Sequence, residues 1–186
     1  MRDLFMLFAR TKIQAGEGRA ALRARLGVIA GELATAALPS VLSATSLPVP
    51  QDEAKVTYAR RLTRADAPLD FRQPAAILRQ RILSVEGWPG STFDHRAALI
   101  KVGVATVEES AAAAVPGTIV AADRAGVRIA CGRGVLVVTQ LQRPGGKMLP
   151  AGEFLAGYPL AVGEVLPSAE MPAFVSDRPF PRAPKA

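Results

Sequence analysis

The sequence predicts a mainly β fold, a small barrel of the OB type with flanking helices, and three observations support this. After residue 90, apolar residues alternate with other residues, as at Ile100, Val102 and Val104, which is typical of half-buried strands. The segments 126–131 and 135–142 are apolar runs separated only by Gly132-Arg133-Gly134, which predicts a hairpin. Short strands joined by glycine-containing turns, in a basic chain, favour an OB-like barrel.

Helices are predicted on both sides of the barrel strands. Pro74 suits the first turn of a helix, and Ala75, Leu78, Ile82 and Val85 then share one face. This helix should stop before the turn "GWPG" at 87–90. A second, shorter helix is predicted for "AGEFLAGY" at 151–158.

The first 42 residues predict one strand, at 5–13, and one amphipathic helix, at 18–38, that ends at Pro39. These two elements have no sheet of their own, so we interpret residues 1–42 as a fragment of another domain. The apolar helix stripe then lacks a partner, and we expect the segment to fray, dock irregularly or self-associate. The stripe consists of Leu22, Leu26, Ile29, Leu33 and Ala36.

The domain boundary is predicted in residues 43–54, which are rich in Ser, Thr and Pro and should form an extended linker. The main domain then covers 55–166. Residues 167–186 contain five prolines and no periodic pattern, which predicts a disordered tail.

The charge distribution predicts a polyanionic partner. The chain has 23 Lys and Arg against 16 Asp and Glu, a formal charge of +7, and residues 55–81 hold seven basic but two acidic residues. Such a basic stretch suits the phosphates of a nucleic acid, held without reading bases. The predicted contacts are Lys55, Arg60, Arg61, Arg64, Arg72, Arg79, Arg81, Arg143 and Lys147.

The sequence predicts no catalytic centre, metal site or membrane segment. Its one histidine, His95, is read as a surface residue beside a turn, and its one cysteine, Cys131, as a core residue in strand register. No other Cys or His stands at metal-ligand spacing. Prolines interrupt the longest uncharged stretch, 33–51, and a cytoplasmic location is expected.

Seven segments in order resemble the C-terminal half of bacterial methionyl-tRNA formyltransferase, and residues 9–42 resemble the closing strand and helix of its Rossmann-like catalytic domain. The segments are "PQDEAKVTYARRL" (50–62), "LDFRQPAAILRQRI" (69–82), "WPG" (88–90), "IKVGVA" (100–105), "PGTIV" (116–120), "GVRIACGRGVLVVTQLQRPGGKML" (126–149) and "EFLAGY" (153–158).

The resemblance implies a function in translation initiation. In this family the C-terminal barrel and a basic interdomain channel hold the acceptor arm of initiator methionyl-tRNA. The catalytic Asn, His and Asp, and the co-substrate formyltetrahydrofolate, belong to the N-terminal domain, whose motifs this sequence lacks. We therefore expect a tRNA-binding chain that binds no cofactor and transfers no formyl group alone.

In such proteins the Trp-Pro-Gly turn leads from the helix into the barrel. We expect Pro89 and Gly90 to set this turn and Trp88 to fill the seam between helix and barrel.

Two alternatives stay open at this point. The chain could be one subunit of a split formyltransferase, completed in trans by a separate catalytic domain, or a fragment of a sugar-nucleotide formyltransferase or of a formyltetrahydrofolate hydrolase or dehydrogenase.

Overall fold

A computed structural model describes residues 4–5, 8–45, 49–50, 52–109 and 114–181. The chain divides into two compact units, Met1–Arg61 with Ala173–Ala186 (unit 1) and Leu62–Pro172 (unit 2). The described helices are α1 (Arg19–Leu42), α2 (Ala75–Ser84) and α3 (Ala151–Gly157). The described strands are β1 (Leu4–Phe5), β2 (Val49–Pro50), β3 (Tyr58–Ala59), β4 (Ser91–His95), β5 (Ala98–Val102), β6 (Ala105–Glu108), β7 (Ile119–Asp123), β8 (Gly126–Ala130), β9 (Val135–Val138), β10 (Gln140–Gln142), β11 (Leu149–Pro150) and β12 (Val175–Ser176).

Helix α1 continues through Pro39, so the prediction that Pro39 ends it is wrong. Proline removes only its own N–H bond, and the hydrogen-bond ladder resumes where Ser43 N donates to Pro39 O at 3.0 Å. The Ser40 hydroxyl also donates to Ala37 O at 2.8 Å. These bonds carry the helix to Leu42.

The predicted strand at 5–13 is largely wrong. Among the described residues of 5–13 only Phe5 belongs to a strand, β1, which pairs with β2 inside the stretch predicted as a linker; residues 6 and 7 lie outside the described part. Residues 8–15 lie outside strands, because the guanidinium of Arg25 holds this segment as a loop. Arg25 donates to Lys12 O at 2.9 Å, to Glu17 at 2.6 and 2.7 Å, and to the Thr11 hydroxyl.

Much of the apolar surface of α1 is exposed. Of its 24 residues only Ala37 is buried, whereas Leu26 is 44% and Val28 is 62% exposed. By length and composition α1 is also a weak candidate for a membrane span, near the N-terminus. Length and composition do not distinguish a membrane helix from one that packs on another protein surface.

Unit 2 is built around two four-stranded antiparallel sheets, with strand orders β11-β10-β5-β4 and β6-β9-β8-β7. Strands β5 and β6 follow each other through a bend at Gly103-Val104, and β9 and β10 bend at Thr139. Backbone bonds from Gly103 N to Gln140 O and from Thr139 N to Val104 O, both 2.9 Å, join the two bends. The mainly β prediction is confirmed. The described strands form no closed barrel, because one sheet ends at β11 and β4 and the other at β6 and β7.

Helix α2 packs into the core of unit 2 as its periodicity predicts. Ala75, Leu78, Ile82 and Val85 are all at most 4% exposed. They belong to or adjoin a core that also contains Phe71 and the inward-facing residues of both sheets. Phe71 and Phe93 form a T-shaped contact with ring centroids 6.3 Å apart, so the segment before α2 and strand β4 share one aromatic contact.

The segment before α2 is fixed by the hairpin between β8 and β9. Gly132 N lies within hydrogen-bond distance of Phe71 O (2.9 Å) and Gln73 O (3.1 Å), and Ala75 N donates to Arg133 O at 2.9 Å. The approach is so close that a Cβ at Gly132 would stand 1.9 Å from Arg72 O. Only glycine fits this contact without moving backbone.

Several described residues of the predicted tail, 167–181, form hydrogen bonds with earlier parts of the chain. The Ser168 hydroxyl accepts a bond from Phe71 N (3.1 Å), and Ala169 N donates to Leu69 O (3.1 Å). Further along, β12 pairs with β3. The prolines in this segment argue against a long strand, but β12 and β3 pair through only two residues each. Residues 182–186 of the predicted tail lie outside the described part.

Replacing Gly132 by alanine is expected to destabilise unit 2 by about 1–3 kcal/mol, because the added methyl group must displace the backbone at Arg72. Urea unfolding followed by circular dichroism measures this. Gly157→Ala is the matched control, because a Cβ there meets nothing within 4 Å. Equal stability of the two variants would refute the close-approach argument.

Candidate nucleic-acid interface

The basic residues of unit 1 differ in how firmly they are held. Lys55 pairs with Asp52 at 3.0 Å, yet its side chain is 83% exposed. Arg60 donates from Nε to Ala173 O at 2.9 Å, and its guanidinium lies 5.3 Å from the centre of the Phe174 ring. Arg61 is exposed. Lys55 and Arg61 therefore present exposed charge, whereas the Arg60 guanidinium is held by Ala173 and Phe174.

Arg64 and Arg72 present charge from ordered turns of unit 2. Arg64 opens a 3₁₀ helix with a capping box between Thr63 and Asp66, and its side chain is exposed. Arg72 contacts Asp70 through Nε at 2.7 Å and Nη2 at 3.2 Å, while its side chain stays 62% exposed. This arginine lowers the pKa of Asp70 below its ordinary value, because it stabilises the carboxylate.

Helix α2 places its two arginines differently. Arg79 is half-buried. Arg81 is only 8% exposed and donates to Pro172 O at 3.0 Å and to Asp66 O at 3.2 Å, with the Asp66 carboxylate 3.6 Å away. Its guanidinium binds the domain itself, so we remove Arg81 from the expected phosphate contacts.

Arg143 and Lys147 lie at the two ends of an exposed turn after β10. The turn closes through Gly146 N and Arg143 O at 3.0 Å, and Gln142 Nε2 donates to Gly146 O at 2.6 Å. Gly145 has a positive φ of 70°, which glycine adopts readily. The turn therefore holds two cations on a defined backbone.

The Trp88 turn is arranged differently from the prediction. Trp88 is 49% exposed, so it does not fill the seam between the helix and the sheets. Pro89 is buried instead, after a cis peptide bond. Gly87 and Gly90 both have positive φ, near 80°. The prediction that Pro89 and Gly90 set the turn fits this geometry, whereas the role given to Trp88 does not.

His95 is a buried residue, so its interpretation as a surface residue is wrong. It ends β4 at 3% exposure. The Tyr158 hydroxyl donates to His95 O at 3.1 Å and lies 2.9 Å from His95 Nδ1. On the other side, Nε2 lies 3.0 Å from Glu164 Oε2, and His95 lowers the pKa of Glu164.

Cys131 is buried as predicted, and burial raises the pKa of its thiol to about 11, so it is protonated at neutral pH. The described part of the chain holds no group of three or more His, Cys, Asp or Glu residues that could bind a metal ion.

Two exposed cations lie among the strands of unit 2, outside the residues predicted to contact phosphate. Lys101 lies in β5 and Arg133 at the tip of the β8–β9 hairpin, and both are exposed. Strand alternation predicts an outward side chain at Lys101, and the hairpin loop predicts an exposed Arg133. Neither residue lies in the basic stretch at 55–81.

Comparison with known proteins decides the family. The family model "Formyl transferase, C-terminal domain" matches residues 61–159, more than half of the chain. The chain belongs to the formyl transferase C-terminal domain family.

Named relatives of this domain agree with the resemblance. Methionyl-tRNA formyltransferase of Burkholderia ambifaria (strain MC40-6) is 43% identical over 157 residues, which are 84% of this chain and 48% of that protein. The enzyme of Burkholderia vietnamiensis (strain G4) is 42% identical over 164 residues, 87% of this chain and 50% of that protein. The chain spans about half the length of the curated relatives it matches.

Solved structures show the fold of this domain in a larger protein. A variant of HypX from Aquifex aeolicus matches with a TM-score of 0.61 and 19% identity, over 83% of this chain and 28% of HypX. HypX in complex with tetrahydrofolic acid matches at a TM-score of 0.50 and 18% identity, over 75% of this chain and 26% of HypX.

Glu164→Gln in this formyltransferase domain is expected to lower stability at neutral pH, because it removes the carboxylate beside His95. Since the folded pKa of Glu164 lies below its ordinary value of 4.5, its contribution is present above that value and is lost as pH falls through the folded pKa. Urea midpoints of both proteins, measured across this range, should converge in acid. A difference in urea midpoint that stays constant at all pH values would contradict the assignment of this stabilisation to the ionised Glu164 carboxylate.

Proposed function

We propose that the chain is the tRNA-binding part of a methionyl-tRNA formyltransferase, which holds the acceptor arm of initiator methionyl-tRNA during translation initiation. The observation that supports this most directly is a set of exposed cations on ordered turns and strands of a formyltransferase C-terminal domain. The relatives are methionyl-tRNA formyltransferases, which supports methionyl-tRNA as the substrate.

The proposed contacts are sequence-independent. Arginine and lysine neutralise phosphates and release counterions, which favours binding to any RNA backbone. Arg72 is the best-positioned of them, because Asp70 orients its guanidinium while 62% of the side chain remains exposed. The proposed contacts are Lys55, Arg60, Arg61, Arg64, Arg72, Arg79, Arg143 and Lys147, without Arg81.

The formyl-transfer chemistry is proposed to lie outside this sequence. The described residues lack a catalytic cluster, so we assign formyltetrahydrofolate to a separate catalytic domain and no cofactor to this chain. The exposed apolar side chains of α1 support a protein partner, either that domain in trans or a second copy through residues 1–42. We propose a cytoplasmic location, which a partner in translation supports. Neither the sugar-nucleotide alternative nor the hydrolase or dehydrogenase alternative has an observation in its favour.

Two exposed arginines test the phosphate contacts. The double variant Arg61→Ala/Arg64→Ala should reduce the slope of log binding constant against log salt by about 0.7–0.9 per true contact. The measurement is fluorescence anisotropy with labelled initiator tRNA at several salt concentrations, and affinity at low salt should fall as well.

The matched control is Arg19→Ala/Arg23→Ala, which removes the same charge from exposed positions of α1. Its slope should stay that of the unchanged protein. If both double variants alter the slope equally, the effect reports net charge, and Arg61 and Arg64 are not contacts.

A further inference from the structure

The C-terminal segment, residues 173–176, contacts the basic segment, residues 58–61, and both belong to unit 1. Strand β12 of the C-terminal segment lies antiparallel to β3, which pairs with no other described strand. Arg60 N continues this pairing by donating to Phe174 O at 3.1 Å. The C-terminal segment therefore holds the backbone of the basic segment.

The side chain of Arg60 adds a second connection between the two segments. Its Nε donates to Ala173 O at 2.9 Å, across 113 residues of sequence. Its guanidinium carbon lies 5.3 Å from the centre of the Phe174 ring, within the distance of about 6 Å at which an aromatic face attracts a cation. Its Nη1 lies 3.4 Å from Arg61 O. Arg60 therefore connects the C-terminal segment to the backbone of Arg61.

Arg61 is the exposed cation that this arrangement presents to solvent. A phosphate that binds an arginine must also order the backbone that carries it, so order that exists before binding lowers the cost of association. The pairing of β3 with β12 and the Arg60 contacts supply such order. The charge comes from the arginines, whereas Phe174 contributes none.

We propose that the C-terminal segment positions Arg60 and Arg61 for the phosphates of a bound RNA, with Phe174 as the positioning residue. The inference rests on the proposed RNA-binding function and adds to it a residue that need not touch the RNA. Two properties of binding then have separate origins. The cations set the salt dependence, because each neutralised phosphate releases counterions, whereas Phe174 changes the affinity at a given salt concentration.

Phe174→Leu tests this role, because leucine keeps an apolar side chain but has no aromatic face. The measurement is fluorescence anisotropy with labelled initiator tRNA at several salt concentrations. We expect the tRNA affinity to fall about two- to fivefold at each salt concentration, as for one lost cation–π contact near the surface, with an unchanged log-log salt slope. Phe174→Tyr keeps the ring and should bind tRNA like the unchanged protein.

Val175→Ala is the matched control. Val175 follows Phe174 directly and is 55% exposed, and successive side chains of an extended chain point to opposite faces. This variant should bind tRNA like the unchanged protein. Phe174 lies outside the core of unit 2, so all three variants should keep the unfolding midpoint of that unit.

A double-mutant cycle shows whether Phe174 acts through the two arginines. In a protein that already carries Arg60→Ala and Arg61→Ala, the further change Phe174→Leu should leave the tRNA affinity unaltered, because residues that act through one another are not additive. A general loss of folding would instead lower the affinity in both backgrounds.

Equal tRNA affinity of Phe174→Leu and the unchanged protein would refute the positioning role, while salt-sensitive tRNA binding would still support the proposed function. A loss of the same size in the Arg60→Ala/Arg61→Ala background would show that Phe174 acts without these cations, which also overturns the proposal. Absence of tRNA binding by the unchanged chain, even at low salt, would refute the proposed function itself and the positioning role with it.

Discussion

The arrangement of unit 2 depends on one close backbone contact, between Gly132 and the chain at Phe71 to Gln73. This contact ties the β8–β9 hairpin to the segment that leads into α2. It brings Phe71 into the core beside Phe93 and starts α2 where Ala75 meets Arg133 O. Because Arg72 lies between Phe71 and Gln73, the backbone that carries its exposed guanidinium is held in a defined position. The core and one proposed RNA contact thus have the same origin.

The basic residues fall into two groups. Arg81 and His95 are buried at positions where other parts of unit 2 supply their partners, and they hold the C-terminal part of unit 2 in place. The cations on turns have carbonyl or carboxylate neighbours that orient them yet remain exposed, as at Arg72 and Lys55. The net charge therefore overestimates the number of cations that can contact RNA. Burial distinguishes the basic residues that bind the domain itself from those that remain exposed.

Local patterns predicted the parts of the fold that short-range physics decides. The buried face of α2, from Ala75 to Val85, follows helical periodicity, and the hairpin around Gly132 to Gly134 follows turn chemistry. The failures involve partners far along the chain. Arg81 bonds to Pro172, 91 residues away, and His95 to Tyr158, 63 residues away. No local pattern contains such pairings, and the two-residue strand β12 was too short to give a signal.

We propose that this chain alone binds tRNA by contacting the phosphates of the tRNA backbone. The most direct test titrates the unchanged chain with initiator tRNA and with an elongator tRNA by fluorescence anisotropy at several salt concentrations. We predict binding to both, with affinity that falls steeply and linearly on a log-log salt plot. Absence of binding at low salt, or binding that does not respond to salt, would contradict the account.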